Sequence, residues 1–179
     1  MSFRPNEILL TERLRLRPPT LDDATAIFDG YGQDPTVSRY TNWRPHTSIE
    51  TTRLFLAEAV DVWRREGRYV WVIEDRNSAE MLGGFEIRVE DHRVELGYVL
   101  RQTSWGEGRG SEATRAVVEH ALACPEIWRV WAYCHVDNTA SARVLEKCGL
   151  KREGRLRRGF LFPNLSPDPG DVYVYATAK

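Results

Sequence analysis

Ser104 to Ala113 reads S-W-G-E-G-R-G-S-E-A, with glycines at alternate positions 106, 108 and 110. The apolar run Val94-Glu-Leu-Gly-Tyr-Val-Leu100 precedes it, and an Ala/Val-rich helical pattern from Ser111 to Ala123 follows. Strand, glycine loop and helix in that order commit the chain to a sheet with a helix packed against it. The same arrangement suits an anion. Glycines keep Cβ atoms out of the way, so backbone N–H groups can close on a phosphate. The first helical turn adds unpaired donors and the positive end of the helix dipole. The spacing is neither the dinucleotide fingerprint G-x-G-x-x-G, since the third glycine comes one residue early, nor G-x-x-x-x-G-K-[ST]. Taken alone, the loop is accounted for equally by a tight turn that holds no ligand.

The rest of the chain supplies a sheet and helices around this unit. Leu14 and Leu16 alternate with Arg13, Arg15 and Arg17, the period of a half-buried strand. Thr20 caps a helix with Asp22 and Asp23 in its first turn, and Gly30 ends it. Thr47-Ser-Ile-Glu50 has capping-box spacing, and Ile49, Leu56, Ala59, Val60 and Trp63 follow at helical spacing up to Gly67. Arg68 to Glu74, Glu80 to Glu90 and Arg93 to Leu100 read as an antiparallel meander, with Gly83-Gly84 marking a bulge or kink. Helix Ser111–Ala123 stops at Pro125, and Trp128 to His135 is a strand. Asn138 caps a helix that Gly149 ends, and a final hairpin spans about residues 156–162 and 172–177. The order β-α-α-β-β-β-α-β-α-β-β implies an α/β fold, a mixed sheet flanked by helices.

At 179 residues the chain is long enough for a real core and reads as one domain, 1–179. A formal charge of −1 gives no global field that selects nucleic acid or membrane. The longest uninterrupted apolar run, Tyr69 to Ile73, is far short of a membrane span, and M-S-F-R-P-N-E has no signal-peptide core. Cys124, Cys134 and Cys148 are odd in number and lack metal spacing; they read as reduced thiols of a cytoplasmic protein, packed as small hydrophobes.

A second segment gives the loop its meaning. Asn138 to Leu150 reads N-T-A-S-A-R-V-L-E-K-C-G-L. Together the two segments resemble the GNAT superfamily of acetyl-CoA-dependent N-acetyltransferases. Within it they resemble the branch that acetylates protein N-termini, including the alanine or serine termini of ribosomal proteins. That branch carries a W-G-x-G-x-[AG]-[ST]-E-A loop, then an N-x-x-S helix ending in E-K-x-G. The opening T-E-R-L-R-L-R-P-P-T-L-D-D-A and the closing Gly170-Asp-Val-Tyr-Val-Tyr175 are similar to its termini, so the resemblance covers nearly the whole chain.

The resemblance implies a single GNAT domain with a mostly antiparallel sheet of about seven strands, the fourth and fifth splaying apart to admit the cofactor. It implies acetyl-CoA as cosubstrate, no metal, and direct transfer to a primary amine without a cysteine nucleophile. Pyrophosphate would sit on the N–H groups of Gly106, Glu107, Gly108, Arg109, Gly110 and Ser111, with Trp105 where the family usually has Gln or Arg. For Arg109 a solvated side chain is the equal alternative. Pantetheine would pair with the main chain of Val99, Leu100 and Arg101, and an N–H there would face the thioester oxygen. Asn138 is an N-cap, and in the functional reading it also bonds a pantetheine amide.

Ser141 lies on the apolar stripe with Val144, Leu145 and Cys148, where a hydroxyl needs a partner. Either it bonds back to a nearby carbonyl or it stabilises the departing CoA thiolate. The family's usual tyrosine acid falls at Leu145, so Ser141 or a water must serve. Glu95 is the candidate base, with a salt bridge to a neighbouring strand as the plain alternative and Glu86, His135 or water as rivals. The five basic residues Lys151, Arg152, Arg155, Arg157 and Arg158 form a solvated hairpin face, or receive an acidic protein surface, ribosomal RNA or the phosphate of CoA. The favoured acceptor is a protein or peptide N-terminal α-amine; a polyamine, amino acid or amino-antibiotic is the alternative. The other readings are a CoA-binding regulatory module without catalysis, and an RNA-binding module that lacks the aromatic-basic signature. The chain would work as a monomer or homodimer.

Overall fold

The computed structural model describes residues 3–63, 65 and 67–179. Met1, Ser2 and positions 64 and 66, the last two within the stretch read as helical up to Gly67, lie outside the described residues. The strands are β1 (Leu9–Leu10), β2 (Leu14–Arg17), β3 (Arg68–Asp75), β4 (Met81–Glu90), β5 (Arg93–Leu100), β6 (Arg129–His135), β7 (Lys151–Phe160) and β8 (Gly170–Ala178). The helices are α1 (Ala24–Ile27), α2 (Ile49–Val62), α3 (Arg109–Ala123) and α4 (Thr139–Lys147). All eight strands form one sheet in the order β1-β2-β3-β4-β5-β6-β8-β7. One strand more than expected is present, because the two-residue β1 pairs with β2. Every neighbouring pair is antiparallel except β5 and β6. The parallel pair is joined through α3, as a parallel connection needs a long crossover.

The helices cover both faces. β3 shows why the sheet centre must be buried on each side. Tyr69, Trp71 and Ile73 join the main core with Ala113, Val117 and Ala121 of α3 and Leu145 of α4. On the opposite face, Val72 packs with Ala24, Ile27 and Leu56 of α1 and α2. An ion-paired cluster ties the second layer down: the Arg17 guanidinium lies 2.6 Å from both Asp23 and Glu74, and both carboxylates are buried. Arg17 holds the Asp23 carboxyl below its usual range against the opposing effect of burial.

Local differences from the sequence expectation have physical causes. The first helix does not stop at Gly30; a 3-10 turn leads into α1, and a wide π turn carries on to Gly32. Ser48, not Thr47, caps α2, accepting from the Thr51 N–H at 3.4 Å. The bulge expected at Gly83-Gly84 is present beside Gly83: the β3–β4 register jumps from Ile73–Gly83 to Glu74–Met81 and leaves Leu82 as the extra residue. A Cβ on Gly83 would also stand 2.1 Å from the Val99 carbonyl oxygen, so its absence lets β5 lean onto β4. β7 starts at Lys151, so the basic segment is itself an edge strand, exposed from Lys151 through Gly159. Charges and two register shifts on such a strand block pairing with other chains. No helix among the described residues is long and apolar enough to cross a membrane.

Candidate active site

β5 and β6 pair only from Arg93–Glu95 against Arg129–Trp131. Beyond that point β5 stays with β4 and β6 stays with β8, so the two part. The gap opens into a cavity of about 420 Å³. Its lining includes Glu95, Tyr98 and Val99 of β5, Tyr133 and Cys134 of β6, and Asn138 and Ser141 at the start of α4.

The main chain of β5 is divided between its two edges. The Val99 carbonyl lies against Gly83 and the Arg101 N–H donates to Leu82 O at 2.9 Å, both toward β4. Main-chain groups alternate between edges along a strand, so Tyr98 and Leu100 face the gap. The Arg101 N–H is thus engaged within the sheet and does not face a cofactor. Trp105, which stands where the family usually has Gln or Arg, donates its indole N–H to Leu100 O at 2.8 Å. By the same alternation the Leu100 N–H points toward the gap.

The glycine loop lies beyond the cavity, at the far end of β5. Gly106 and Gly108 have φ of +78°, the left-handed region that favours glycine, and Gly108 caps α3. Arg109, Gly110 and Ser111 open that helix, so their N–H groups have no partner within it. A Cβ on Gly106 would meet nothing within 4 Å, whereas one on Gly110 would point inward at Leu100, Tyr98 and Val144. Two arginines flank the loop. Arg109 lies 3.1 Å from Asp75 and 2.8 Å from Glu107, so it is ion-paired rather than solvated. Arg13, which sequence reasoning passed over, donates to Glu107 O at 3.1 Å and pairs with Glu112 at 2.7 Å.

The two candidate glutamates differ. Glu86 is held by Arg68 and Arg88, each at 2.9 Å. Glu95 faces Arg88 across the β4–β5 ladder, yet among the described residues its carboxylate has no hydrogen bond or ion pair. Burial raises its pKa above the ordinary value of 4.5, partly offset by the charge of Arg88. His135 is not part of the lining. Its ring stacks on Tyr40 at 5.5 Å and meets Phe162 edge-on at 5.0 Å, and its Nδ1 accepts from the Asp137 N–H at 3.2 Å. Cys134 lines the cavity, but burial pushes its thiol up to about 11. It is therefore a poor nucleophile.

Asn138 and Ser141 come from the first turn of α4. Asn138 Oδ1 accepts from the Ser141 N–H at 3.2 Å, the capping bond its position called for. Among the described residues Ser141 Oγ makes no bond back to a carbonyl; it accepts from the Tyr98 hydroxyl at 3.4 Å. Sequence reasoning missed Tyr98. The signal was there, since Val94, Leu96, Tyr98 and Leu100 share one strand face and a hydroxyl on an inner face needs a partner.

The remaining wall comes from segments distant in sequence. Tyr31, Tyr40, Trp43, His46, Phe55 and Phe162 make it strongly aromatic. Burial lowers the His46 pKa, which leaves a neutral ring, and its Nδ1 lies 2.7 Å from the Thr52 hydroxyl. The loop between β7 and β8 crosses to this wall, where the Asn164 amide donates to Ser38 O at 2.6 Å and Trp43 O at 2.8 Å. The basic strand β7 does not line the cavity. Among the described residues no cluster of His, Cys, Asp and Glu is placed to hold a metal.

The parting of β5 and β6 beside a helix capped by Gly108 is the arrangement that the resemblance to the GNAT superfamily implies. Residues 13–151 match the family model of the acetyltransferase (GNAT) domain. The chain belongs to the GNAT acetyltransferase family. It is 34% identical over 169 residues to the uncharacterized N-acetyltransferase YoaA of Bacillus subtilis, covering 93% of this chain and 94% of that protein. Among solved structures, the ribosomal L7/L12 alpha-N-protein acetyltransferase RimL in complex with coenzyme A superposes with a TM-score of 0.84. It is 24% identical, with 96% of this chain and 98% of that one covered. The microcin C7 self-immunity acetyltransferase MccE, in complex with acetyl-CoA and AMP, gives 0.83 at 20% identity and 94% coverage of both chains.

Proposed function

We propose that the chain is a single-domain acetyl-CoA-dependent N-acetyltransferase whose acceptor is the α-amine of a protein or peptide. The observation that carries the reading is the gap between β5 and β6, where the edge of β5 at Tyr98 and Leu100 is not paired with β6 and opens onto a cavity lined by Glu95 and Ser141. In this reading the pyrophosphate rests on the N–H groups from Gly106 to Ser111, with Arg13 and Arg109 beside it. Pantetheine extends along the open edge of β5 as an added strand would, and Asn138 offers its amide N–H₂ to it. The Leu100 N–H faces the thioester oxygen and stabilises the tetrahedral oxyanion. Glu95 takes the amine proton directly or through water. The C–S bond then breaks, and Ser141 donates a hydrogen bond to the thiolate.

The acceptor class rests on how strong a base is needed. An α-amine with a pKa of about 7.8 is roughly one-seventh neutral at pH 7, whereas a lysine amine near 10.4 is neutral about once in 2,500 molecules. A single, partly exposed glutamate of raised pKa suits the first and not the second. The aromatic wall adds room for the apolar groups of a peptide terminus. RimL, which modifies an α-amine by its printed description, has the same fold.

Ser141→Ala tests the chemistry. Thiolate charge appears only in the transition state, so kcat should fall by about 10²-fold with little change in KM for acetyl-CoA. Unchanged turnover would reduce Ser141 to a helix residue.

A further inference from the structure

We propose that Tyr98 is a positioning residue for Ser141: its hydroxyl occupies an acceptor site of the serine and turns the serine hydrogen into the cavity. The inference rests on the role of Ser141 set out above, and it concerns the residue that makes that role possible.

A serine hydroxyl has one hydrogen and two lone pairs, and left alone it rotates to suit whatever acceptor is near. At the start of a helix that acceptor is commonly a main-chain carbonyl. Here Tyr98 donates to Ser141 Oγ at 3.4 Å, so the serine hydrogen is left to point elsewhere. A phenol O–H is a stronger donor than an alcohol, so Tyr98 donates and Ser141 accepts, and burial, which raises the Tyr98 pKa, keeps the phenol protonated.

Both partners are held independently of the bond. The Tyr98 ring stacks on Phe85 with centroids 6.0 Å apart and planes 23° apart. The first turn of α3 also lies close; a Cβ on Gly110 would be 3.6 Å from the ring. Ser141 is fixed by its N–H on Asn138 Oδ1 at 3.2 Å. The bond therefore spans from β5 to α4 across the gap where β5 and β6 part, and both residues line the cavity. At 3.4 Å it is long, as catalytic hydrogen bonds often are before the reacting group is bound. Negative charge on a thiolate accepting from Ser141 would polarise the serine and tighten the Tyr98 bond. Tyr98 transfers no proton in this scheme; it aims and polarises a donor.

The test is a double-mutant cycle in steady state, with acetyl-CoA and a peptide acceptor. Tyr98→Phe keeps the ring packed on Phe85 and removes only the oxygen. It should lower kcat about 3- to 10-fold, the range of one hydrogen bond, and leave KM for acetyl-CoA and the melting temperature unchanged. In a Ser141→Ala background the same change should have no further effect. An equal fall in both backgrounds, or no fall in either, would overturn the proposal. Failure of the underlying reading has a different signature: Ser141→Ala alone would turn over at the wild-type rate, and the proposal would fall with it.

Discussion

Glu86 and Glu95 stand on neighbouring strands of one sheet face, and their surroundings give them opposite uses. Two guanidinium groups hold Glu86, one on each carboxylate oxygen. The Glu95 carboxylate is half-buried with a raised pKa and, among the described residues, no hydrogen bond or ion pair, the condition of a group poised to accept a proton. Its carboxyl is favoured in the protonated form by the fold. The stability it contributes is therefore present below its unfolded pKa and lost as pH rises through the folded value. Glu95→Gln should raise the melting temperature at pH 8 and change it little at pH 4. On a peptide acceptor the same variant should lower the rate by about 10²-fold without abolishing it, since water still accepts the proton. Its pH–rate profile should keep the limb of the amine and lose the limb of Glu95. A variant with the wild-type profile would remove Glu95 as base. Glu95 was legible from the sequence because a glutamate inside an apolar strand is costly. Which arginine it would meet was not, since cross-strand register placed Arg88 beside it but left Arg88 bonded to Glu86.

The glycine loop was the most legible element, yet its three glycines do different work. Gly106 and Gly108 carry the positive φ, and their missing Cβ atoms open outward. Gly110 is helical and turned toward Leu100 and Tyr98. Gly106→Ala should weaken CoA binding by about 10- to 100-fold, through loss of charge-assisted bonds to phosphate, and cost about 1 kcal/mol in stability. Gly110→Ala should bind CoA as the wild type does, since its nearest contact of 3.4 Å is ordinary packing. Calorimetric titration of both variants checks this; equal losses would contradict the assignment. Edge strand β7 was less legible than the loop. A strand exposed on both faces carries no apolar alternation, so Lys151 to Arg155 read as a charged run before the hairpin. The wide turn after α1 was hidden for a similar reason, because Gly30 sits in it without ending it.

At the scale of the molecule, the order of strands and helices followed from periodicity, and the glycine and Asn138 motifs pointed to the gap between β5 and β6. The acceptor wall did not follow. It is assembled from Tyr31, Tyr40, Trp43, Phe55 and Phe162, and closed by the bonds of Asn164 to Ser38 and Trp43. Those partners lie 126 and 121 residues from Asn164, a separation over which local pattern carries no information. The acceptor is what this wall decides, so its identity is the central claim. The direct measurement is CoA thiol release from acetyl-CoA across a panel of amines at pH 7. The panel holds peptides with free α-amines, the same peptides blocked at the N-terminus but bearing lysine, polyamines and amino-antibiotics. The account predicts thiol release with the free-terminus peptides, and none above background with the blocked, lysine-bearing ones. Turnover on a polyamine or amino-antibiotic with none on any α-amine peptide would contradict it.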